Sequence, residues 1–246
     1  MAKHRLFCEN ISPGKTLLGA SEAHHAARVL RLRQGATIEL FDGRGQVARG
    51  RILEVGSTRL VVGVDEVETV APLPGPALTL ATALPRAARQ HMLFEKCTEL
   101  GTARIVPTLF HRSTVKPQVR SVPKWQRIVT EAGKQSGCLH LPAVEPPMTF
   151  RDTVTRLEAD ARLVGAVGSS FAPLAKVVRD CSARGSAVVW IGPEGGLTEE
   201  ERASLEDSGV QPVSLGKQVL RIETAAIAVA AAFAMADRSL QADRGR

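Results

Sequence analysis

The feature that most constrains the fold is an alternation of strand-like and helix-like segments from residue 77 onward. Five short apolar runs have the length and composition of buried strands: ALTLATAL (77–84), ARIVPTLF (103–110), RLVGAVG (162–168), AVVWIG (187–192) and QPVSLG (211–216). Three segments carry the pattern of helices: 85–101, 121–137 and 223–240. Because strands that alternate with helices pair in parallel, the sequence predicts an α/β fold with a mostly parallel sheet, covered on both faces.

The N-terminal part has a different rhythm. Residues 36–67 contain short β-rich runs separated by Gly and Asp-Gly turns, which predict a small antiparallel barrel or sheet. The preceding segment, 21–35, predicts a short helix with Ser21 as its N-cap and Gly35 after its end. A Pro- and Gly-rich stretch between the two parts predicts a stiff linker. We therefore expect a domain at 1–70, a linker at 71–76 and a second domain at 77–246.

Composition narrows the function classes. No apolar run approaches the ~20 residues that span a bilayer, and the first residues lack the pattern of a secretory signal, so we expect a soluble cytoplasmic protein that binds no membrane. The four cysteines form no C-x-x-C pair, which argues against a zinc ribbon or a disulfide framework, and we expect no metal. Residues 1–140 hold 20 Lys and Arg against 11 Asp and Glu, and this basic excess favours nucleic acid as the partner.

The segment IGPEGGLTEEE (191–201) joins a buried strand to a helix that Thr198 and Glu201 would begin as a capping box. It lacks the lysine of a P-loop and the spacing of a dinucleotide loop. Its acidic residues also disfavour a phosphate at the helix start. A cationic ligand without phosphate, such as S-adenosylmethionine, would suit this loop, and so would no ligand at all, since a tight turn before a capped helix has the same sequence.

A second segment, LGKQVLRIETA (215–225), repeats the order of strand, glycine turn and helix. Together the two segments resemble the paired signature of the ribosomal RNA small subunit methyltransferase E family. Further segments in the family's order are HAARVLR (25–31), FDG (41–43), KCTELG (96–101), RSTVK (112–116) and QS (135–136). Each of these is weak alone, but the ordered set covers the length of the chain.

The resemblance implies an N-terminal PUA-like RNA-binding β-barrel and a C-terminal SPOUT α/β domain whose chain forms a trefoil knot. It implies a homodimer that transfers a methyl group from S-adenosylmethionine to N3 of one uridine of 16S rRNA in the 30S subunit. It assigns the cofactor to two loops, with a third expected near 166–168. The residues of these two loops are Gly192, Pro193, Glu194, Gly195, Gly196, Leu215, Gly216, Val219 and Leu220.

The chemistry of the acceptor suggests two catalytic candidates. N3 of uridine carries a proton, so methyl transfer needs a base and a group that stabilises negative charge on the ring. Arg221 is the candidate cation, and Glu223 is either the base or a favourable acid in the first turn of a helix. The candidate RNA contacts are Arg5, His25, Arg28, Arg31, Arg112 and Lys116.

Three positions depart from the family pattern: Lys134, Cys138 and Ile222. Two other functions stay open at this point. One is a different SPOUT enzyme, such as a tRNA ribose 2′-O-methyltransferase. The other is an RNA-binding ribosome assembly factor without catalytic activity.

Overall fold

The computed structural model describes residues 4–56, 58–72, 75–168, 170–180 and 185–243, with side chains as far as residue 236. The chain divides into two compact units. The first unit contains the described residues up to Pro72 together with Thr130–Leu141, and the second contains those of 73–129 and from Pro142 onward. Residues 130–141 thus belong to the first unit although they fall within the predicted second domain. Residues 73 and 74 of the predicted linker lie outside the described residues.

The first unit is built on one mixed sheet. Its elements are β1 (Arg5–Phe7), β2 (Gly14–Leu18), α1 (Ala20–His24), β3 (Thr37–Phe41), β4 (Gln46–Val55), β5 (Leu60–Val64) and β6 (Glu68–Thr69). The strand order is β1-β3-β4-β5-β2, with β6 beside β4. Only β1 and β3 run parallel among the strand pairs of this described sheet. The antiparallel strands predicted over 36–67 are present as β3, β4 and β5.

The turn between β3 and β4 shows why Asp42 and Gly43 are needed there. The buried Asp42 carboxylate accepts the amides of Arg44 at 2.7 Å and Gln46 at 2.9 Å. Gly43 has φ +75°, a conformation that favours glycine. A Cβ at Gly43 would lie 2.8 Å from a Leu141 side-chain carbon, so the end of the 130–141 segment packs closely on this turn.

The prediction that Ser21 caps the first helix is wrong. The helix begins one residue earlier, at Ala20, and Gly19 is the N-cap because its carbonyl accepts the first helical amide, that of Ala23, at 3.0 Å. After α1 the chain forms a π-helical turn, His25–Val29, and Arg31 follows with φ +53°. Gly35 lies beyond the helical segment, as predicted.

The second unit is an α/β structure. Its strands are β7 (Ala77–Thr82), β8 (Arg104–Leu109), β9 (Ala143–Val144), β10 (Met148–Thr149), β11 (Ala161–Ala166), β12 (Ala172–Pro173), β13 (Ser186–Ile191) and β14 (Gln211–Ser214). Its helices are α2 (Ala87–Glu99), α3 (Val122–Ser136, which ends in the first unit), α4 (Phe150–Arg156), α5 (Leu174–Asp180), α6 (Glu199–Asp207) and α7 (Ile222–Asp243).

The sheet of the second unit is parallel, as the alternating pattern predicts. Its order is β10-β8-β7-β13-β11-β14-β12, with β9 beside β8, and every strand pair in the described part of this sheet is parallel. Helix α7 packs against α2 and α5, and α4 packs against α6. The five predicted strands are present, and so are the three helices predicted from their pattern and the capped helix α6, whereas α4, α5 and the two-residue strands were not predicted.

At the centre of this sheet lies a buried tryptophan whose indole nitrogen is hydrogen-bonded. Trp190 of β13 is fully buried, and its indole nitrogen donates to the Thr153 hydroxyl at 3.0 Å. The Arg162 guanidinium lies 5.4 Å from the Trp190 ring centroid and donates to the Val154 and Ser208 carbonyls.

In the described part of the chain, no helix is both long and apolar enough to span a membrane.

Candidate active site

Three neighbouring strands of the second unit end in loops at the same edge of the sheet. Strand β11 lies between β13 and β14 and runs parallel to both, so the loops that follow all three meet at the carboxyl edge. Each loop contains a glycine with positive φ: Gly168 at +131°, Gly196 at +70° and Gly216 at +130°. Such backbone turns leave main-chain groups accessible to a ligand, because no side chain covers them.

A cavity of about 630 Å³ lies among these loops. Most of its lining is apolar, and two valines on different loops, Val167 and Val219, are 59% and 76% exposed. A bound ring would cover these exposed valines and remove their apolar surface from water, which favours binding. The volume falls within the 300–1,000 Å³ typical of small-molecule sites.

Eight of the nine residues assigned to the cofactor by sequence line this cavity: Gly192, Pro193, Glu194, Gly196, Leu215, Gly216, Val219 and Leu220. Gly195 is not among the lining residues. The third loop contributes Ala166 and Val167, whereas Gly168 is not in the lining. The sequence did not indicate several further lining residues, among them Phe171, Arg202, Glu206 and Gln218.

The loop that precedes α6 is held by two carboxylate oxygens of one residue. Thr198 and Glu201 form the predicted capping box, in which Glu201 Oε2 accepts the Thr198 amide at 2.9 Å. The other oxygen, Oε1, accepts the amide of His111 at 2.8 Å. Glu201 is 7% exposed, and its two hydrogen bonds link the 192–201 loop to the segment that follows β8. Only the capping box could be predicted, since its partners are three residues apart.

Arg112 contacts the same loop from the adjacent position. Its Nη1 donates to the Gly195 carbonyl at 2.9 Å and lies 3.4 Å from the Leu197 carbonyl. A Cβ at Gly195 would lie 3.3 Å from Arg112 Cβ, so glycine allows the side chain to lie against the loop backbone. Arg112 was predicted as an RNA contact, and in the structure its guanidinium contacts the backbone of the 192–201 loop.

The two catalytic candidates lie in different surroundings. Arg221 is exposed, directly before α7, and does not line the cavity. The Glu223 side chain is 5% exposed, and its Oε1 lies 3.4 Å from Nη1 of Arg89 on α2. Its Oε2 is buried, with no hydrogen-bond partner among the described residues. Arg221 therefore faces solvent, whereas Glu223 is buried beside Arg89 of α2.

A smaller cavity of about 220 Å³ lies beside the first and shares Glu194 with it. Its lining consists of Leu84, Pro85, Arg86, Arg89, Thr114, Val115 and Glu194. Apart from Glu194, these residues follow the carboxyl ends of β7 and β8 or begin α2. The edge of the sheet therefore carries two neighbouring cavities that share one residue, Glu194.

The remaining RNA candidates differ in how free their side chains are. Arg5 forms an ion pair with Glu39 and lies 5.4 Å from the Phe41 ring centroid, so it has partners within the first unit. Arg28, Arg31 and Lys116 are exposed, whereas His25 is half-buried. These exposed cations are available to an external anion.

The three departures from the family pattern also have defined surroundings. Lys134 pairs with Glu22 and Glu131, and its side chain is 7% exposed. The Cys138 thiol lies 3.1 Å from the His140 carbonyl, and burial raises its pKa. Ile222 is buried and lines the larger cavity. Lys134 and Cys138 thus have contacts within the first unit, and Ile222 supplies apolar cavity wall.

Comparison with known proteins gives concordant matches. The family model described as an RNA methyltransferase domain matches residues 72–234, and that of an RNA methyltransferase PUA domain matches 18–65. The ribosomal RNA small subunit methyltransferase E of Synechocystis sp. is 35% identical over 88% of this chain and 72% of its own length. The protein of that name from Mycobacterium bovis is 31% identical over 85% and 82%.

A solved structure resembles most of the chain. It is a ribosomal RNA small subunit methyltransferase E from Neisseria gonorrhoeae bound to S-adenosyl methionine, 29% identical, with a TM-score of 0.84. The similarity covers 93% of this chain and 95% of that one.

Proposed function

The chain belongs to the ribosomal RNA small subunit methyltransferase E family, and on that premise we propose that it transfers a methyl group from S-adenosylmethionine to N3 of a uridine in 16S rRNA. The customary rRNA number of this uridine is 1498. The observation that carries the proposal is the cavity where the loops after β11, β13 and β14 meet, with the positive-φ glycines Gly196 and Gly216 in its lining.

The cavity fits S-adenosylmethionine in size and chemistry. Val167 and Val219 offer apolar surface to the adenine ring, and the glycine turns offer main-chain groups to its polar edge. Glu194 and Glu206, both in the lining, suit the positive charges of the sulfonium and the ammonium. When bound, the cofactor supplies an activated methyl group. The protein would then have to hold the acceptor base beside that methyl and remove the N3 proton.

We propose that Arg221 and Glu223 both belong to the catalytic region but have different roles. Glu223 is buried and engaged with Arg89, which supports a positioning role over that of a base in contact with RNA. Arg221 is exposed before α7 and is available to the RNA backbone or base. His25, Arg28, Arg31 and Lys116 are proposed as further RNA contacts, whereas Arg5 and Arg112 already have partners inside the protein.

The proposal extends to topology, assembly and location. We propose that this domain forms the trefoil knot that its resemblance to the family implies. We propose a homodimer that acts in the cytoplasm on the assembled 30S subunit. Light scattering after gel filtration tests the dimer, with twice the 26.3 kDa chain mass expected and a single chain mass contradicting it.

Titration calorimetry with S-adenosylmethionine tests the cofactor site. Val219→Arg places a cation at an exposed cavity residue, so we expect the dissociation constant to rise at least about tenfold through charge repulsion with the sulfonium. Val119→Arg is the matched control, because Val119 is 66% exposed and lines neither cavity. Equal affinity of both variants and the native protein would place the cofactor elsewhere.

Reverse transcription maps the acceptor. A methyl on N3 blocks the Watson–Crick edge of uridine, so reaction with unmodified 30S subunits should create one new stop in the decoding region of 16S rRNA. Free 16S rRNA, treated alongside, should give a weaker stop if the assembled subunit is the substrate. A stop at a different place, or none, would contradict the proposed acceptor.

A further inference from the structure

The smaller cavity has the position of an acceptor site. The loops that follow β13, β11 and β14 surround the larger cavity, and those that follow β8 and β7 contribute to the smaller one. Since β7 is the neighbour of β13, the two cavities lie side by side along one edge of the sheet. Glu194 lines both cavities and is exposed, so its carboxylate can turn toward a group held in either one.

A buried carboxylate positions Arg89, one of the two arginines that line this smaller cavity; the other, Arg86, is exposed. Burying the charge of Glu223 is costly unless it is paired, and Arg89 is the partner that the structure provides, at 3.4 Å. The Arg89 side chain is 35% exposed and lines the cavity, so its other N–H groups can reach a ligand. A guanidinium stays charged at any relevant pH and can donate to carbonyl oxygens.

Arg89 and Glu194 together complement one edge of uracil. That edge presents two carbonyl oxygens with an N–H between them, which is an acceptor, a donor and a second acceptor. Arg89 can donate to a carbonyl, and the Glu194 carboxylate can accept from N3–H. Arg221, in contrast, lines neither cavity.

We infer that the cavity lined by Arg89 and Glu194 binds the acceptor uracil, with Glu194 as the base that takes the N3 proton and Arg89 as the cation that stabilises the ring. This inference rests on the proposed function. The N3–H bond breaks and its proton passes to the Glu194 carboxylate, while the negative charge that develops on O2 and O4 is stabilised by Arg89. The N3 electron pair then bonds to the methyl carbon. The bond between that carbon and sulfur breaks with both electrons remaining on sulfur, which becomes a neutral thioether, and the Glu194 carboxylic acid releases its proton to water.

The first experiment separates chemistry from cofactor binding. Single-turnover methylation of unmodified 30S subunits and calorimetry with S-adenosylmethionine are measured for the native protein and for Glu194→Gln, Arg89→Lys and Arg221→Ala. At saturating cofactor we expect Glu194→Gln to methylate at least about 100-fold more slowly than the native protein, a loss larger than any that it shows in S-adenosylmethionine affinity, as the loss of a general base implies. Arg89→Lys keeps a charge for Glu223 and should lose at least about tenfold in rate because its ammonium is a point charge. Arg221→Ala should change the rate less than Arg89→Lys.

The second experiment tests proton removal itself. Subunits reconstituted with 16S RNA that contains 5-fluorouridine present a more acidic N3–H, so a missing base should matter less. The ratio of native to Glu194→Gln rate should fall at least about tenfold on this substrate, whereas a residue with a structural role would show an unchanged ratio.

The outcomes separate two kinds of failure. If the native protein binds no S-adenosylmethionine or forms no 3-methyluridine, the proposed function fails and this inference fails with it. If the native protein does both, the inference alone is overturned by a Glu194→Gln rate equal to native, by a rate loss matched in cofactor affinity, or by an unchanged ratio on the fluorinated substrate. An Arg221→Ala defect larger than that of Arg89→Lys would return the cationic role to Arg221.

Discussion

Replacing Glu201 by alanine should destabilise the second unit strongly, because one carboxylate holds two segments that are far apart in sequence. Its two oxygens accept the amides of Thr198 at 2.9 Å and His111 at 2.8 Å, and the residue is 7% exposed. Hydrogen bonds to a charged group contribute about 1.5–3 kcal/mol each. His111 is exposed, so water can replace part of one bond, and we expect the lower end, about 3 kcal/mol in all.

The two tryptophans of the chain allow this loss to be measured in the second unit alone. Trp125 and Trp190 both lie in that unit and are buried, so their fluorescence reports its unfolding. A loss of about 3 kcal/mol corresponds to a fall in melting temperature of about 6–12 °C for a unit of this size. Glu200→Ala is the matched control, since Glu200 is exposed in the same helical turn and should cost at most about 1 kcal/mol. A Glu201→Ala melting temperature equal to that of Glu200→Ala would refute the reasoning.

Three further predictions concern other parts of the molecule. Arg112→Ala should weaken S-adenosylmethionine binding in calorimetry and leave the salt dependence of RNA binding unchanged. Lys116→Ala should make the slope of log affinity against log salt shallower by about 0.7. An Arg112→Ala variant with unchanged cofactor affinity and a shallower slope would return Arg112 to the RNA surface. Burial raises the pKa of Cys97 to about 12, so the native thiol should resist iodoacetamide at pH 8 in mass spectrometry, and labelling as fast as in urea would contradict this. The amide and hydroxyl of Ser186 lower the pKa of Asp160, which therefore stabilises the fold above its unfolded pKa and ceases to do so as pH falls through the lowered value. Asp160→Asn should accordingly be less stable than native in urea at pH 7, and the difference should shrink as the pH is lowered through the range in which Asp160 becomes protonated; a constant difference would contradict the assignment.

The sequence predicted those features whose partners are close along the chain. The capping box of Thr198 and Glu201 joins residues three positions apart. Each strand and helix is recognised from the apolar pattern of one short segment, and their alternation along the chain predicts the parallel sheet. The glycine-rich loops after β13 and β14 were likewise recognisable, because a sharp turn after a buried strand requires particular residues. The same local reasoning wrongly predicted Ser21 as the N-cap, because Gly19 can begin a helix without a side-chain hydrogen bond.

Long-range partners left no such pattern. The second bond of Glu201 reaches His111, 90 residues away, and Arg112 reaches the Gly195 carbonyl across 83. Arg5 was read as an RNA contact because the sequence does not show that Glu39 lies beside it on the neighbouring strand. Basic residues look alike in sequence whether they face solvent or an internal carboxylate.

The membership of residues 130–141 in the first unit was also invisible in the sequence. A Cβ at Gly133 would lie 2.3 Å from a Leu141 side-chain carbon, and one at Gly43 would lie 2.8 Å from the same side chain. These close approaches depend on glycines in two separate segments, each of which alone reads as an ordinary turn or helix position. A linear division at a Pro-rich linker could not anticipate them.

The identity of the methylated nucleoside tests the central claim most directly. Unmodified 30S subunits are incubated with the native protein and S-adenosylmethionine carrying a labelled methyl group, and the rRNA is digested to nucleosides for mass spectrometry. The account predicts label in 3-methyluridine, at no more than one per subunit. Label in a 2′-O-methylated nucleoside, or binding of the cofactor without any labelled nucleoside, would contradict it and support another SPOUT enzyme or an assembly factor.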